Sequence, residues 1–294
     1  MPVSIVERAL SVTLTRTGAA AQGRGAGSAR RRRIALGLIL PVTLVVLWEA
    51  AARVGLLAPN QLPAPTAVFQ EMAGLAETGE LFDHIGITLY RVFAGFFLGV
   101  AVATVLGSLT GYSRLGRELL DPLVQGLRNV PSLAWVPLFI LWLGIFELSK
   151  VTLIAVGVFF PVYLNLMSGI QGVDRKLVEV GRVYRLSGFK LVRRVLLPAT
   201  LPAYLVGLRS GLGLGWMFVI AAELMGASKG LGFLLLDGQM TSRPQVIIGS
   251  LVLFAIFGKL TDVILVTVSQ RFVGWQDTFR THGEDGEEAR DAAH

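Results

Sequence analysis

The chain has 294 residues, of which 53% are hydrophobic and only 16% are charged. Soluble domains average roughly 45–50% apolar and about 25% charged residues, so one water-soluble core does not account for this composition. The chain has no cysteine, which excludes disulfides and thiolate metal sites, and its three histidines give little basis for a histidine-built catalytic site. The net charge of +7 must be assigned to loops before it indicates any partner.

Six apolar runs approach the length of about 20 residues that crosses a bilayer. Residues 1–33 form a basic tail that we predict to be disordered and cytoplasmic, and the first run, from Ile34 to Trp48, follows it. The other predicted spans are residues 85–112, 123–144 with interruptions at Pro131 and Pro137, 151–170, 204–225 and 246–268. The acidic residues 283–294 are predicted to be a second disordered tail, which leaves residues 34–282 as one all-α transmembrane domain.

Two of the connections are long. Val54 to Asp83 is predicted to be a polar loop containing a short helix, and Ser228 to Pro244 a glycine-containing loop. The basic block before the first run, followed by three alanines, is also compatible with a secretory signal peptide.

Positive charge is strongly asymmetric between alternate loops, which favours an uncleaved first helix and places both termini in the cytoplasm. The other set of loops balances its few basic residues with acidic ones. The net charge therefore reflects orientation in the membrane and implies no nucleic acid. The basic set comprises Arg30–Arg33, Arg114, Arg117, Arg175, Lys176, Arg182, Arg185, Lys190, Arg193, Arg194, Arg271 and Arg280.

Small residues recur every four positions in the second and fifth predicted spans, so each of these helices carries one smooth face. Because lipid gives helices no hydrophobic reason to associate, such faces favour close helix packing, and one of them could instead line a moving pore or a dimer seam. The glycines that we predict to pack are Gly95, Gly99 and Gly107 in the second span, with Gly207, Gly211 and Gly215 in the fifth.

Several ionisable residues lie in or near the spans, where charge is costly and often functional. Most are near a predicted helix end, so their side chains are expected to reach water. No acidic or histidine relay is visible at the centre of a span, which argues against a proton-driven carrier. The residues are Glu49, Arg91, Arg128, Arg209, Glu223 and Asp262.

A basic stretch separates the fourth and fifth spans. Asp174 is placed to cap a short helix, whose apolar face would hold Leu177, Val180, Gly181 and Tyr184 and whose polar face would hold Arg175, Glu179 and Arg182. Gly188 is placed to end this helix. Pro198 and Pro202 follow where the next span is predicted to begin, and they would fix its entry angle.

This stretch resembles the "EAA" loop of bacterial ABC importer permeases, a Glu-Ala-Ala, then Gly, then Ile-x-Leu-Pro pattern. Glu179, Val180 and Gly181 match its opening, and Val195, Leu197 and Pro198 match its end. The family's glycine position holds Arg185, and Ser187-Gly188 could supply the break instead. The resemblance implies a coupling helix that seats in a groove of an ATPase subunit, with Asp174, Leu177, Glu179, Gly181, Arg182, Tyr184, Arg185, Gly188 and Pro198 as its candidate residues.

The resemblance extends from about Leu62 to Phe279. Residues 127–150 and 159–182 are similar to the nitrate/sulfonate/taurine branch, whereas "FGKLTDV" and the Trp275 tail are most similar to aliphatic sulfonate permeases. It implies a type I (MetI-like) permease with six helices in the bacterial cytoplasmic membrane. The implied partners are a second copy of this chain, two ATPase subunits and an extracytoplasmic substrate-binding protein.

No G-x-x-x-x-G-K-[ST] phosphate loop is present, so we expect neither a cofactor nor catalysis in this chain. The substrate expected from the resemblance is an aliphatic sulfonate, and taurine, nitrate or another small organic substrate are alternatives. A self-sufficient secondary carrier and a membrane enzyme are interpretations from other functional classes.

Overall fold

The protein is described here by a computed structural model of residues 36, 37 and 39–273, and this part of the chain contains helices, turns and loops but no strand. The predicted tails, 1–33 and 283–294, lie outside the described residues, as does the beginning of the first predicted span. The helices are α1 (39–53), α2 (Pro65–Glu77), α3 (Glu80–Tyr112), α4 (Arg114–Arg128), α5 (Val136–Leu143), α6 (Glu147–Gln171), α7 (Arg175–Val183), α8 (Gly188–Leu191), α9 (Leu197–Leu224), α10 (Leu231–Met240) and α11 (Pro244–Val273).

Four continuous helical segments among the described residues are long and apolar enough to cross a membrane: α3, α6, the segment Val192–Leu224, and α11. They correspond to the predicted second, fourth, fifth and sixth spans. The predicted interruption of the third span at Pro131 is confirmed, because α4 and the segment Leu133–Leu143 meet at a bend of 89°. Pro137 does not interrupt the chain, because it lies in the first turn of α5. The bend falls at Pro131, whose ring restricts the residue before it and favours an extended backbone there.

The fifth span begins earlier than its hydropathy predicted. A π turn, Val192–Leu196, joins α8 to α9 without a break, and the amide of Leu197 donates to the carbonyl of Val192 five residues earlier. Pro198 occupies the first turn of α9, where a proline is tolerated, and Pro202 lies inside the helix. Pro198 therefore lies in the first turn of α9 as predicted, although the continuous helical segment already begins at Val192.

The predicted loop between Ser228 and Pro244 is also wrong, because it contains α10. Glycine is a poor helix former, so Gly232 and Gly238 favoured the prediction of a loop over that of a helix. Both are buried where other groups approach closely: a Cβ at Gly238 would lie 3.1 Å from the carbonyl oxygen of Arg243. The predicted short helix between Val54 and Asp83 is present as α2.

The first compact unit of the chain ends at Gln70. In this unit the Glu49 carboxylate, near the end of α1, accepts hydrogen bonds from the Thr66 amide at 3.1 Å and the Thr66 hydroxyl at 3.0 Å. It also pairs with Arg53 at 2.6 Å. Glu49 thus satisfies a free amide at the beginning of α2, where a negative charge is favourable.

The second unit is built around α6, which packs between α3 and α9. Ile154, Val158 and Val162 of α6 have no exposed surface. All three are β-branched and present a stiff ridge. The helices on either side meet this ridge with their glycine faces.

The glycine face of α3 leaves no room for side chains. A Cβ at Gly95 would lie 2.5 Å from Cγ2 of Ile154, and one at Gly99 would lie 2.5 Å from the carbonyl oxygen of Ala155. At Gly107 the nearest atom would be the Tyr163 carbonyl oxygen, at 3.2 Å. The backbones of α3 and α6 therefore approach as closely as glycine permits.

The glycine face of α9 lies on the other side of the same helix. A Cβ at Gly207 would lie 2.9 Å from Cβ of Asn165, and one at Gly211 would lie 3.0 Å from Cγ2 of Val162. A Cβ at Gly215 would be 3.3 Å from Val158, so this end of the face is less tight. Both glycine faces thus contact α6 of the same chain.

Gly211 and Gly213 provide a matched pair for testing this packing. We expect Gly211→Leu to separate α9 from α6 and to destabilise the protein by about 1–3 kcal/mol or more, the cost typical of overpacking. Gly213 is exposed and a Cβ there would meet nothing within 4 Å, so Gly213→Leu should fold like the parent. The measurement is the thermal midpoint of each purified variant in detergent, with its abundance in membranes. Equal midpoints for the two variants would contradict this account of α9.

Candidate functional site

The basic stretch forms a short helix, α7, with the predicted N-terminal cap. The Asp174 carboxylate accepts a hydrogen bond of 2.9 Å from the Lys176 amide. This bond satisfies one of the amides that have no partner within the helix. We call residues 174–198 the coupling segment.

The C-terminal end of α7 differs from the prediction. The helix ends at Val183, and Arg185, not Gly188, is the left-handed residue that ends it, with φ 57°. The Arg185 amide donates to Arg182 O at 2.8 Å and the Leu186 amide donates to Gly181 O at 3.0 Å, which is the Schellman pattern. This turn normally uses glycine, so the geometry explains why the permease pattern has glycine where this chain has Arg185.

Gly188 is also left-handed, with φ 51°, but it lies at the beginning of α8. The two residues therefore bracket a compact turn between α7 and α8. An arginine in the left-handed conformation costs about 1 kcal/mol or more, and the surrounding hydrogen bonds hold it there.

The face of α7 that carries Gly181 is buried, whereas its other apolar residues are not. A Cβ at Gly181 would lie 2.6 Å from Cδ1 of Leu191, so α7 rests closely on α8. The other predicted face residues, Leu177, Val180 and Tyr184, are 49%, 54% and 75% exposed. By helical spacing Gly181 shares the face of Leu177 and Tyr184, so α8 covers only part of the predicted apolar face, and the rest of it is exposed to the surroundings.

Glu179 and Arg182 are exposed on α7 as well, so the helix offers charges beside its apolar surface. Val192 and Leu196 of the π turn also belong to the coupling segment. They pack against Leu166 and Ile170 near the C-terminal end of α6. The coupling segment is thus attached to the central helix through a small apolar cluster.

An ion-pair network lies at the opposite end of α6, and two of its members, Arg91 and Glu223, are buried. The Arg91 guanidinium donates to both Glu147 carboxylate oxygens at 2.7 Å and to Glu223 Oε1 at 2.9 Å. Arg91 is 1% exposed and Glu223 has no exposed surface. Because Arg91 is on α3, Glu147 on α6 and Glu223 on α9, the network joins the three central helices. Lys150 lies nearby, 3.7 Å from Glu147.

The same network also holds the chain that leads into α10. The Glu223 carboxylate accepts from the Gly232 amide at 2.7 Å and from the Thr88 hydroxyl at 2.8 Å. Thr88 in turn accepts from the Leu231 amide at 2.8 Å, and Arg91 donates to the Lys229 carbonyl at 2.6 Å. A Cβ at Gly232 would lie 2.8 Å from the Glu223 side chain, so glycine is required for this approach.

The prediction that Arg91 and Glu223 reach water near helix ends is wrong, because they are buried and bind one another. Each is costly to bury alone but acceptable as a paired and hydrogen-bonded group. Their partners Thr88 and Gly232 were missed. The Gly-Leu-Gly sequence at 230–232 was the available signal for close backbone approach.

Arg209 and Asp262 are also paired, by bonds of 2.6 and 3.0 Å from Nε and Nη2 to the two carboxylate oxygens. They lie in the middle of α9 and α11, not near the ends as predicted, because α9 begins at Leu197 and α11 extends from Pro244 to Val273. Arg128 does lie at a helix end, as the last residue of α4.

The coupling segment and the ion-pair network lie at the two ends of one helix, α6. The helix α6 has 25 residues, which corresponds to about 37 Å at 1.5 Å per residue. Its first residue binds Arg91 and its last turns contact the coupling segment. One continuous helix, which contains Pro161, therefore connects the coupling segment to the ion-pair network.

Comparison with known proteins gives a family match over most of this region. Residues 95–276 match the family described as "Binding-protein-dependent transport system inner membrane component". The chain is 40% identical over 243 residues to SsuC of Bacillus subtilis, a permease named for aliphatic sulfonates transport, covering 83% of this chain and 88% of that protein. It is 40% identical over 240 residues to SsuC of Escherichia coli, covering 82% and 91%.

A more distant relative is the taurine transport system permease TauC of Escherichia coli, which is 31% identical over 246 residues and covers 82% of this chain and 87% of its own length. Among solved structures, a chain of the inward-facing MetNI methionine ABC transporter aligns with a TM-score of 0.57 at 22% identity. It covers 63% of this chain and 93% of that chain, which shows the same fold.

The buried network predicts an asymmetric response to substitution. We expect Arg91→Leu to lower the stability by about 3–5 kcal/mol, because it leaves the buried Glu223 carboxylate without its cation, whereas the partly exposed Glu147 keeps Lys150 nearby. Replacing both partners, Arg91→Leu with Glu223→Leu, should recover part of the loss, since a buried pair can be exchanged for apolar groups at small cost. Thermal midpoints in detergent measure both effects. Arg114→Leu is the control, because Arg114 forms an exposed pair with Glu118 and its loss should have little effect. An Arg91→Leu midpoint equal to that of the control would refute the structural role of the network.

Proposed function

Because the chain belongs to the family of binding-protein-dependent transport system inner membrane components, we propose that it carries aliphatic sulfonates across the cytoplasmic membrane as the permease of an ABC importer. Permease membership itself follows from the family, as does the position of the chain in the inner membrane. The chain is thus a non-catalytic transport subunit. An importer of this class also requires an ATPase and a substrate-binding protein.

The topology that fits this function has six spans. The first runs from Ile34 through α1, the bent pair α4 and α5 supplies the third, and residues 34–282 form the permease domain. Both termini and the coupling segment lie in the cytoplasm, because the basic residues of the sequence belong to loops on that side. The assembly has two copies of this chain and two ATPase subunits.

The observation that carries the coupling part of the proposal is the exposed apolar surface of α7. Leu177, Val180 and Tyr184 lie beside the charges of Glu179 and Arg182, which is the composition of a helix that docks into a groove of a partner. The ATPase is the partner that fits the permease family. When ATP closes the ATPase subunits, α7 moves with them and transmits the displacement to α6.

Alternating access follows if the three central helices move as a unit. The network of Arg91, Glu147 and Glu223 keeps the far ends of α3, α6 and α9 together. The segment leading into α10 is bound to the same network, so it moves with them. The chain itself binds no ATP and needs no cofactor in this scheme.

Sulfonate is proposed as substrate because both SsuC relatives are 40% identical to this chain over more than four-fifths of its length, whereas TauC is 31% identical. Taurine, itself an aminosulfonate, and nitrate are the alternatives within the same permease role. A self-sufficient secondary carrier is less consistent with the family match and with the exposed surface of α7.

The docking surface is tested with two substitutions on α7. Val180→Asp places a charge in the apolar surface, and Glu179→Lys reverses a charge beside it. Both residues are exposed, so the permease should insert and fold normally. We expect about a tenfold loss of ATPase recruitment for Val180→Asp, as for a residue near the centre of an interface. Co-purification of the ATPase with each variant is the measurement, alongside uptake in vesicles.

Arg185→Gly is the matched control for this experiment, because it changes the turn that ends α7 without altering the exposed apolar surface of the helix. It should recruit the ATPase fully and raise the stability by about 1 kcal/mol, since glycine adopts the left-handed conformation without strain. Full recruitment and full uptake by both Val180→Asp and Glu179→Lys would show that α7 is only an anchor on the positively charged side.

The substrate is tested by loss of the chain. We expect a deletion strain to lose growth on ethanesulfonate as sole sulfur source while it still grows on sulfate, and a plasmid copy should restore growth. Uptake of labelled ethanesulfonate, taurine and nitrate by energised cells distinguishes the alternatives. Unchanged ethanesulfonate uptake in the deletion strain, with no second importer present, would reject the sulfonate assignment.

A further inference from the structure

Three charged side chains lie together at the middle of α9 and α11. Arg209 is twelve residues from the beginning of α9, or about 18 Å along the helix, and Asp262 is eleven residues from the end of α11. Lys259 lies one turn from Asp262, with its Nζ atom 3.4 Å from Oδ2. No helix end is close enough to place these groups at the surface of a bilayer.

This mid-helix cluster has an excess of positive charge. Arg209 and Lys259 carry two cations, and Asp262 alone opposes them. Arg209 uses Nε and Nη2 for Asp262, and Nη1 donates to no group within residues 39–273. The Arg209 side chain is 58% exposed and that of Lys259 is 70% exposed. An anion could therefore bind here without displacing the carboxylate.

Charged side chains at this depth are not expected on a helix face that is covered by lipid hydrocarbon. Arginine and lysine at the centre of a bilayer are unfavourable and are found facing a water-filled path or another protein surface.

An open cavity of about 320 Å³ adjoins the cluster. Its polar lining includes Arg209, Ser210 and Asp262, and its apolar wall is formed by Leu212 and Trp216. The wall is fixed in place, because the Trp216 indole donates a hydrogen bond of 2.9 Å to Thr261.

Two glycines keep the cavity open. Gly213 on α9 and Gly258 on α11 both line it, and a Cβ at Gly213 would meet nothing within 4 Å. At Gly258 the nearest atoms, those of Trp216, would be at 3.8 Å. Neither glycine is needed for close packing here, in contrast to Gly211.

We propose that this cavity is a substrate-contact site on the translocation path, at which Arg209 binds the anionic head group and Leu212 and Trp216 contact the alkyl chain, while Lys259, beside Asp262, adds positive charge at its edge. The proposal rests on the proposed import function. The chemistry that it recognises is an anion of one negative charge with a short apolar chain, which the net positive cluster and the adjoining apolar wall match. Asp262 holds Arg209 in position through two hydrogen bonds and limits the site to weak binding, which permits release.

The absence of cysteine from the chain permits a direct test. Gly213→Cys places a single thiol in the cavity, where space for it exists. The assembled importer, with its ATPase and binding protein, is treated in proteoliposomes with 2-sulfonatoethyl methanethiosulfonate, an anionic thiol reagent. We expect modification, and we expect excess ethanesulfonate to slow it. Gly86→Cys is the control, because Gly86 is exposed on α3 outside the cavity, and its modification should be insensitive to ethanesulfonate.

The role of the charge is tested by adding Arg209→Gln to Gly213→Cys. Relative to a cationic trimethylammonium reagent of the same length, the anionic reagent should lose a factor on the order of three to ten in rate, since one nearby positive charge is removed. Arg209→Lys should retain most of the preference. Both ratios compare reagents on the same protein, so a change in abundance does not affect them.

Four results would overturn the site: no modification of Gly213→Cys, no slowing of its modification by the imported anion, a disulfide between two copies at this position, or a reagent preference that is the same with Arg209 and with Gln. A disulfide would show that a second copy covers the face. Failure of the sulfonate assignment can be distinguished from failure of the proposed site. If the parent imports taurine or nitrate but not ethanesulfonate, protection by the imported anion still supports the site, and lack of protection by it rejects the site alone.

Discussion

The close approach of α3 and α9 to the two sides of α6 is the constraint on which the rest of this protein depends. This approach is possible because glycine has no side chain: a Cβ at Gly95, Gly99 or Gly207 would lie less than 3 Å from an atom of α6. With no hydrophobic effect to drive association within lipid, contact over this length must come from dispersion and from backbone proximity. The β-branched ridge of α6 supplies the complementary surface, since its rotamers are restricted before the helices meet.

The polar groups of the core depend on this arrangement. Arg91 can reach Glu147 and Glu223 together only because the glycine faces bring three helices within a side chain's length of one another. The network fixes their relative register, which apolar contacts along smooth helix faces would leave poorly specified. A helix triad locked at one end and attached to an exposed segment at the other can respond to that segment as a body. This arrangement suits a permease that is driven from one side of the membrane by a separate subunit.

Much of the helical pattern could be predicted from the sequence, because hydropathy and the spacing of glycines are local properties. The helices α3, α6 and α11 were predicted with errors of a few residues. What was missed depended on tertiary structure. The helix α10 contains glycines that favour a loop until Glu223 is placed against Gly232 and Arg243 against Gly238. The early beginning of α9 is hidden by the arginines and prolines around it. The pairing of Arg91 with Glu223 joins residues 132 positions apart, and no local pattern contains that information. Arg185 illustrates the opposite case. The permease pattern has glycine at this position, which indicates a left-handed turn there, whereas Gly188 was expected to end the helix.

The π turn at Val192–Leu196 lies between the coupling segment and the membrane core. It takes up one residue more than a regular α-helical turn would hold, and the amide of Leu197 reaches the carbonyl five residues back. In a regular α-helix each residue turns the chain by about 100°. Winding the same residues as an ordinary helix would therefore rotate α7 and its exposed apolar surface by about that angle around the axis of α9. The direction in which α7 presents its exposed apolar surface is therefore set by one surplus residue that lies outside α7 itself.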